Sequence, residues 1–171
     1  MLKLFSFIVT LFLLSSCSTK GVGAYKHQIR LKRHSKPVQE SVQLDDNTAV
    51  VDALYEEYMK WEGTRYKFGG SSKQGVDCSS FVQQLYFNAL GIRVPRTTKE
   101  QAKIGRWIKR SQLRSGDLVL FKTAYNERHS GVYLEHGKFM NASSKYGVTL
   151  SNINNPYWRE KYWQSRRVFE Y

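Results

Sequence analysis

The stretch GVDCSSFVQQLY, residues 75–86, places a cysteine directly ahead of an apolar pattern of helical period. Phe81, Val82, Leu85, Tyr86, Ala89 and Leu90 recur at helical intervals, and Gly91 supplies a stop. The spacing therefore predicts a helix that opens at Cys78. A thiol at a helix mouth faces unpaired backbone N–H groups and the positive end of the helix dipole. Both favour thiolate over thiol and lower the pKa. The competing reading is a small hydrophobe packed at a helix end. Which reading holds depends on the partners of Cys78 and on the use made of the only other cysteine, Cys17.

Upstream, DDNTAVVDALYEEYMKWEG (residues 45–63) offers Asp46 or Asn47 as an N-cap, followed by Val50, Ala53, Leu54, Tyr58 and Trp61 on one stripe, with Gly63 as the stop. TRYKFGGSSKQG (residues 64–75) reads as a loop rich in Gly and Ser. Downstream, a short helix is expected over 97–104, and then the period changes from helix to strand. Residues 116–122, 130–135, 138–143 and 147–153 read as strands joined by short, turn-rich links, which argues for antiparallel pairing. NPYWREKYW (residues 155–163) reads as a short helix, and residues 166–171 as a last strand. Helices first and strands after predict an α+β fold, with the N-terminal helices packed against a mostly antiparallel sheet.

The first residues read MLKLFSFIVTLFLLSSCSTK. The apolar run Leu4–Leu14 is too short to span a bilayer and suits the h-region of a secretory signal. LSSC (residues 14–17) resembles the lipobox of bacterial lipoproteins, which implies that Cys17 is lipidated as the first residue of the mature chain. The resemblance, with Ser18 rather than Asp after it, implies an outer-membrane anchor facing the periplasm. The expected organisation is a signal over 1–17, a basic tether over 18–47 and a folded domain over 48–171. Residues 18–39 hold six Lys or Arg and no acid. With Cys17 consumed by lipid, Cys78 is a lone thiol in an oxidising compartment, where an unpaired cysteine is a hazard or a tool.

A reactive cysteine of a hydrolase needs an imidazole partner. His27 and His34 fall in the tether and His136 in a turn, whereas His129 opens a strand beside the core and is the best base. Asn141 lies on the following strand. A two-residue turn at His136 and Gly137 would put these two residues on opposite faces, whereas a three-residue loop over 135–137, with Gly137 at the left-handed position, pairs Leu134 with Lys138 and Gly131 with Asn141. His129 and Asn141 then share a face on a diagonal, within reach of an imidazole and an amide.

Taken in order, GTRYKFGG, GVDCSSFVQQLY, PRTTKEQ, SGDLVLF, RHSGVYLEHGKFMNASS and NPYWREKYW resemble the NlpC-type cell-wall endopeptidases, lipoprotein members above all. The resemblance covers about residues 50–171. It implies a papain-like fold and hydrolysis of peptidoglycan stem peptides between D-γ-glutamate and the diamino acid, without metal or other cofactor. It implies Cys78 as nucleophile, His129 as base and Asn141 as the third polar group, where many members have histidine. It also implies Tyr66 as a hydroxyl beside the nucleophile, and Asp77, Ser79 and Ser80 along the path of the substrate. Asp77 has a second reading as the helix cap. Ser80 and Ser130 depart from the family's usual glycine and aliphatic residue. The net charge of +13 suits a long anionic polymer. Nucleic acid is not an expected partner, since no helix carries a focused basic stripe. A degraded hydrolase that only holds cell wall, and a same-fold amidase or acyltransferase, stand as rivals.

Overall fold

The computed structural model describes residues 47–171. The expected signal, lipidation at Cys17 and the expected tether up to residue 46 lie outside the described residues, and Asn47, expected to end the tether, opens the first helix. Helix α1 (Asn47–Trp61) presents Val50, Leu54, Tyr58 and Trp61 to the core, the stripe read from sequence. Gly63, just beyond it, takes φ 73°, the left-handed geometry of a helix stop. A minimal hairpin follows, β1 (Ser71–Ser72) and β2 (Gly75–Val76). Helix α2 (Cys78–Leu90) starts and stops where the sequence placed it, between Asp77 as N-cap and Gly91, left-handed at φ 69°. Glu57 fastens the two helices: its Oε1 accepts from Trp61 Nε1 at 2.9 Å and from Asn88 Nδ2 at 2.8 Å.

Helix α3 (Thr98–Gln101) is shorter than expected. Thr97 caps it through the Glu100 N–H, but Gly105 at φ 63° turns the chain into β3 (Arg106–Ile108), a strand too short to leave a periodic signature. After β3 come a 3₁₀ turn (Arg110–Gln112), β4 (Leu118–Lys122), β5 (Arg128–Tyr133), β6 (Lys138–Ser143), β7 (Gly147–Asn152), α4 (Pro156–Lys161) and β8 (Tyr162–Arg167). The six-stranded sheet runs β3-β8-β4-β5-β6-β7, with every pairing antiparallel.

The C-terminal strand corrects the sequence reading. Tyr162 and Trp163 belong to β8 rather than to the preceding helix, and the strand ends at Arg167. Its register on β4 shifts between Leu120 and Phe121, a bulge that admits the extra aromatic residue. Beyond it, Phe169 packs edge-on against Tyr86 instead of pairing. Sheet alternation builds two cores. Leu118, Leu120, Val132, Met140 and Ala142 face the helices. Val119, Phe121 and Phe139 face the other way, under Trp158 of α4 and Tyr162.

The β5–β6 turn has the expected register. Leu134 N–H donates to Lys138 O at 2.9 Å, and Val132 stands opposite Met140. Two residues of that turn are left-handed, His136 at φ 50° as well as Gly137 at φ 80°, and Lys138 N–H closes it on Glu135 O at 2.7 Å. The β5–β6 ladder ends at Val132–Met140. His129 and Asn141 therefore project from strands no longer tied to each other.

Candidate active site

Asp77 sets the mouth of α2. It is extended at φ −90° and ψ 170°, and its Oδ1 accepts the Ser80 N–H at 2.8 Å. The capping role weighed for it is therefore real. The carboxylate does more: Arg96 grips it at both oxygens, Nη1 to Oδ1 at 3.0 Å and Nη2 to Oδ2 at 2.6 Å, and the Gly69 N–H reaches Oδ2 at 3.0 Å. Burial alone raises its pKa, and these donors bring the group below its ordinary value. Ser79 joins the cluster, donating to Asp77 Oδ1 at 3.1 Å and accepting from Arg96 Nη1 at 3.0 Å.

Cys78 is the first residue of the helix and is 7 % exposed. Its sulfur lies 3.8 Å from Thr98 Oγ1. Burial pushes the thiol up. A hydrogen bond to His129, the charge of that ring, the Ser130 backbone and Thr98 outweigh it and bring the thiol down to about 7. The sulfur is thus buried yet has a polar neighbour in Thr98 rather than apolar packing alone.

His129 Nε2 lies 3.1 Å from Asn141 Oδ1. Asn141 is itself fixed from β7: its Nδ2 donates to Thr149 O at 3.2 Å and to Ser151 Oγ at 2.9 Å. With the amide nitrogen so used, Oδ1 must face the ring, and the Nε2–H donates to it. Nδ1 is then the ring nitrogen that Asn141 leaves unengaged. Trp158 lies nearly flat over the imidazole, with centroids 5.1 Å apart at 29°, and covers one face of the ring.

Tyr66 is half-buried and bridges to Val76, one turn of loop from the nucleophile. Burial, then the charges of Cys78, Asp77 and Glu127, raise its phenol, so it holds its proton as a donor. Gly70 behind it admits no side chain, since a Cβ would sit 2.4 Å from Gly75 O.

Ser80, expected beside passing substrate, requires correction. It is wholly buried and its Oγ has no hydrogen-bond partner, because its side of the first turn of α2 faces the interior. Arg96, Thr98 and Trp158 were not singled out from sequence. Each acts across 17 or more positions, and no local pattern in the sequence marks such a contact. Among the described residues no three His, Cys, Asp or Glu side chains converge as metal ligands.

Comparison with known proteins agrees with this geometry. Residues 63–167 match the model of the NlpC/P60 family. Over 167 residues the chain is 37% identical to the murein DD-endopeptidase MepS/murein LD-carboxypeptidase of Escherichia coli, covering 94% of this chain and 89% of the relative. It is 36% identical over 126 residues to a gamma-DL-glutamyl hydrolase of Bacillus subtilis, covering 72% of this chain and 30% of that one. The crystal structure of an NLP/P60 family protein from Staphylococcus aureus superposes with a TM-score of 0.65 at 30% identity, over 78% of this chain and 45% of that one. The match to the family model over residues 63–167, the identity to the Escherichia coli relative over most of both chains and the papain-like α+β fold place this chain in the NlpC/P60 family.

Proposed function

We propose that this protein is a cysteine endopeptidase that hydrolyses amide bonds in peptidoglycan stem peptides. What supports the reading is the His129 Nε2–Asn141 Oδ1 contact of 3.1 Å, together with a Cys78 thiol that His129 above all brings down to about 7 against the effect of burial. With a pKa of about 7, roughly half of the sulfur is thiolate at neutral pH. The thiolate attacks the amide carbon, and the Cys78 N–H and the Tyr66 hydroxyl receive the developing oxyanion. Loss of one such donor lowers the rate about 10²–10³-fold. His129 gives its proton to the leaving amine and then activates water to release the acyl group. Asn141 keeps the ring turned, and Trp158 keeps water off one of its faces. Asp77 and Ser79 act mainly through Arg96, as the frame of the nucleophile's helix mouth.

The bond we assign is that between γ-linked D-glutamate and the diamino acid, supported by the name of the Bacillus subtilis relative. The name of the Escherichia coli relative favours a second reading, a D,D-crosslink. Lipidation at Cys17 and an outer-membrane anchor facing the periplasm belong to the same proposal, supported by the lipobox-like LSSC. Incubation of the full chain with defined muropeptides, read by mass spectrometry, tests it. A shortened stem peptide that disappears in Cys78→Ala is expected. Intact muropeptides after long incubation would favour a binding module, and a non-peptide acyl product would favour another transferase chemistry.

A further inference from the structure

Lys122 and Arg128 stand directly opposite each other across the β4–β5 ladder, at its open end. Like charges so placed repel and weaken a hairpin. Both side chains are exposed, and neither enters an ion pair among the described residues. Instead both lie over one indole. Lys122 Nζ is 4.8 Å and Arg128 Cζ 5.5 Å from the centre of the Trp163 ring. Trp163 comes from β8, where the β4 register shifts. An aromatic face holds a cation in place without neutralising it. Three strands thus converge to fix two positive charges side by side and leave both uncompensated.

The pair stands at the end of the ladder whose strand β5 also carries His129 and Ser130. Strand alternation puts Arg128 on the same face of β5 as Ser130. Ser130 Oγ is 3.5 Å from Thr98 Oγ1, which is 3.8 Å from Cys78 Sγ. Arg128 also directly precedes His129 in the chain. An anion seated on the pair would lie two residues along β5 from Ser130, on the strand face that leads to the sulfur.

We infer that Lys122 and Arg128, held by Trp163, form a subsite for a substrate carboxylate, namely the α-carboxylate that a γ-linked glutamate leaves free. This rests on the cell-wall peptidase reading and names what that site selects. The full chain is assayed on two stem peptides, one with this carboxyl free and one with it converted to the carboxamide. The unaltered protein is expected to prefer the free acid about tenfold in kcat/KM, through KM. In Lys122→Ala/Arg128→Ala the KM for the free acid rises to that of the carboxamide, while kcat stays close to its original value. Lys122→Arg restores the preference. Lys122→Gln and Arg128→Gln each give part of the effect, and neither lowers Tm, because each removes one of two repelling charges.

Equilibrium binding of both peptides to Cys78→Ala, with and without the two charges, gives the same ranking without turnover. It therefore tests the subsite even if no peptide is cut, a result that would sink only the peptidase reading. An unchanged preference in the double variant overturns the subsite. So does a dependence on these two residues for binding phosphatidylglycerol vesicles with no dependence for the peptides, since the pair would then serve a membrane.

Discussion

Replacing His129 with alanine separates the two tasks assigned to the ring. Burial of Cys78 raises its thiol, and contact with His129 is the largest influence that lowers it. Without the ring the thiol returns at least to the ordinary 9.0 from about 7. At pH 7 the thiolate fraction then falls from about one half to about one in a hundred, a loss of roughly fifty-fold. A more basic thiolate is a better nucleophile, with a Brønsted coefficient of about 0.4–0.5, which returns roughly eightfold over two pKa units. The net loss towards a small aromatic disulfide at pH 7 is therefore only about sixfold, with the midpoint of the rate–pH profile moved up by about two units. Peptide hydrolysis loses the proton donor as well, and should fall by a further 10²–10⁴-fold. The assay is stopped-flow reaction with the disulfide from pH 5 to 10, set beside muropeptide turnover. A midpoint that stays near 7 in His129→Ala would refute the reasoning, because the helix mouth alone would then be holding the thiolate.

Two further expectations concern the frame. Asp117 and Arg167 are buried together, with Nε to Oδ1 at 2.9 Å and Nη2 to Oδ2 at 2.8 Å. Asp117→Ala strands a buried guanidinium, and urea unfolding should report a loss of about 3–5 kcal/mol; a loss under 1 kcal/mol would mean that water enters and compensates. Ser80 carries a buried hydroxyl without a partner, so Ser80→Ala should stabilise the fold by about 1 kcal/mol in the same measurement, with muropeptide turnover unchanged.

Which features were legible from the chain alone and which were not follows from the range of the interactions. Both long helices were legible because their stripes and stops are local: Val50 to Trp61 ending at Gly63, and Phe81 to Leu90 ending at Gly91. The meeting of His129 with Asn141 was legible for a similar reason. One loop length sets the register of two strands, and register decides which side chains share a face. The boundary between α4 and β8 was not legible, because Tyr162 and Trp163 suit a helix face and a strand equally until β4 is there to pair with. Arg96 and Trp158 were illegible in principle. Nothing local marks a guanidinium that closes on a carboxylate 19 residues away, or an indole that stacks on an imidazole from another strand.

The same distinction explains how the site is held. Cys78 needs only its own helix to find the mouth, but the imidazole needs β6 to present Asn141, and Asn141 needs β7 to occupy its amide nitrogen. If β7 supplied no acceptors, the amide could turn over and offer its nitrogen to His129 instead of its oxygen. The ring would then hold its proton on the side facing the sulfur. On the proposed mechanism, the edge strand β7 thus fixes which nitrogen is free to take the thiol's proton.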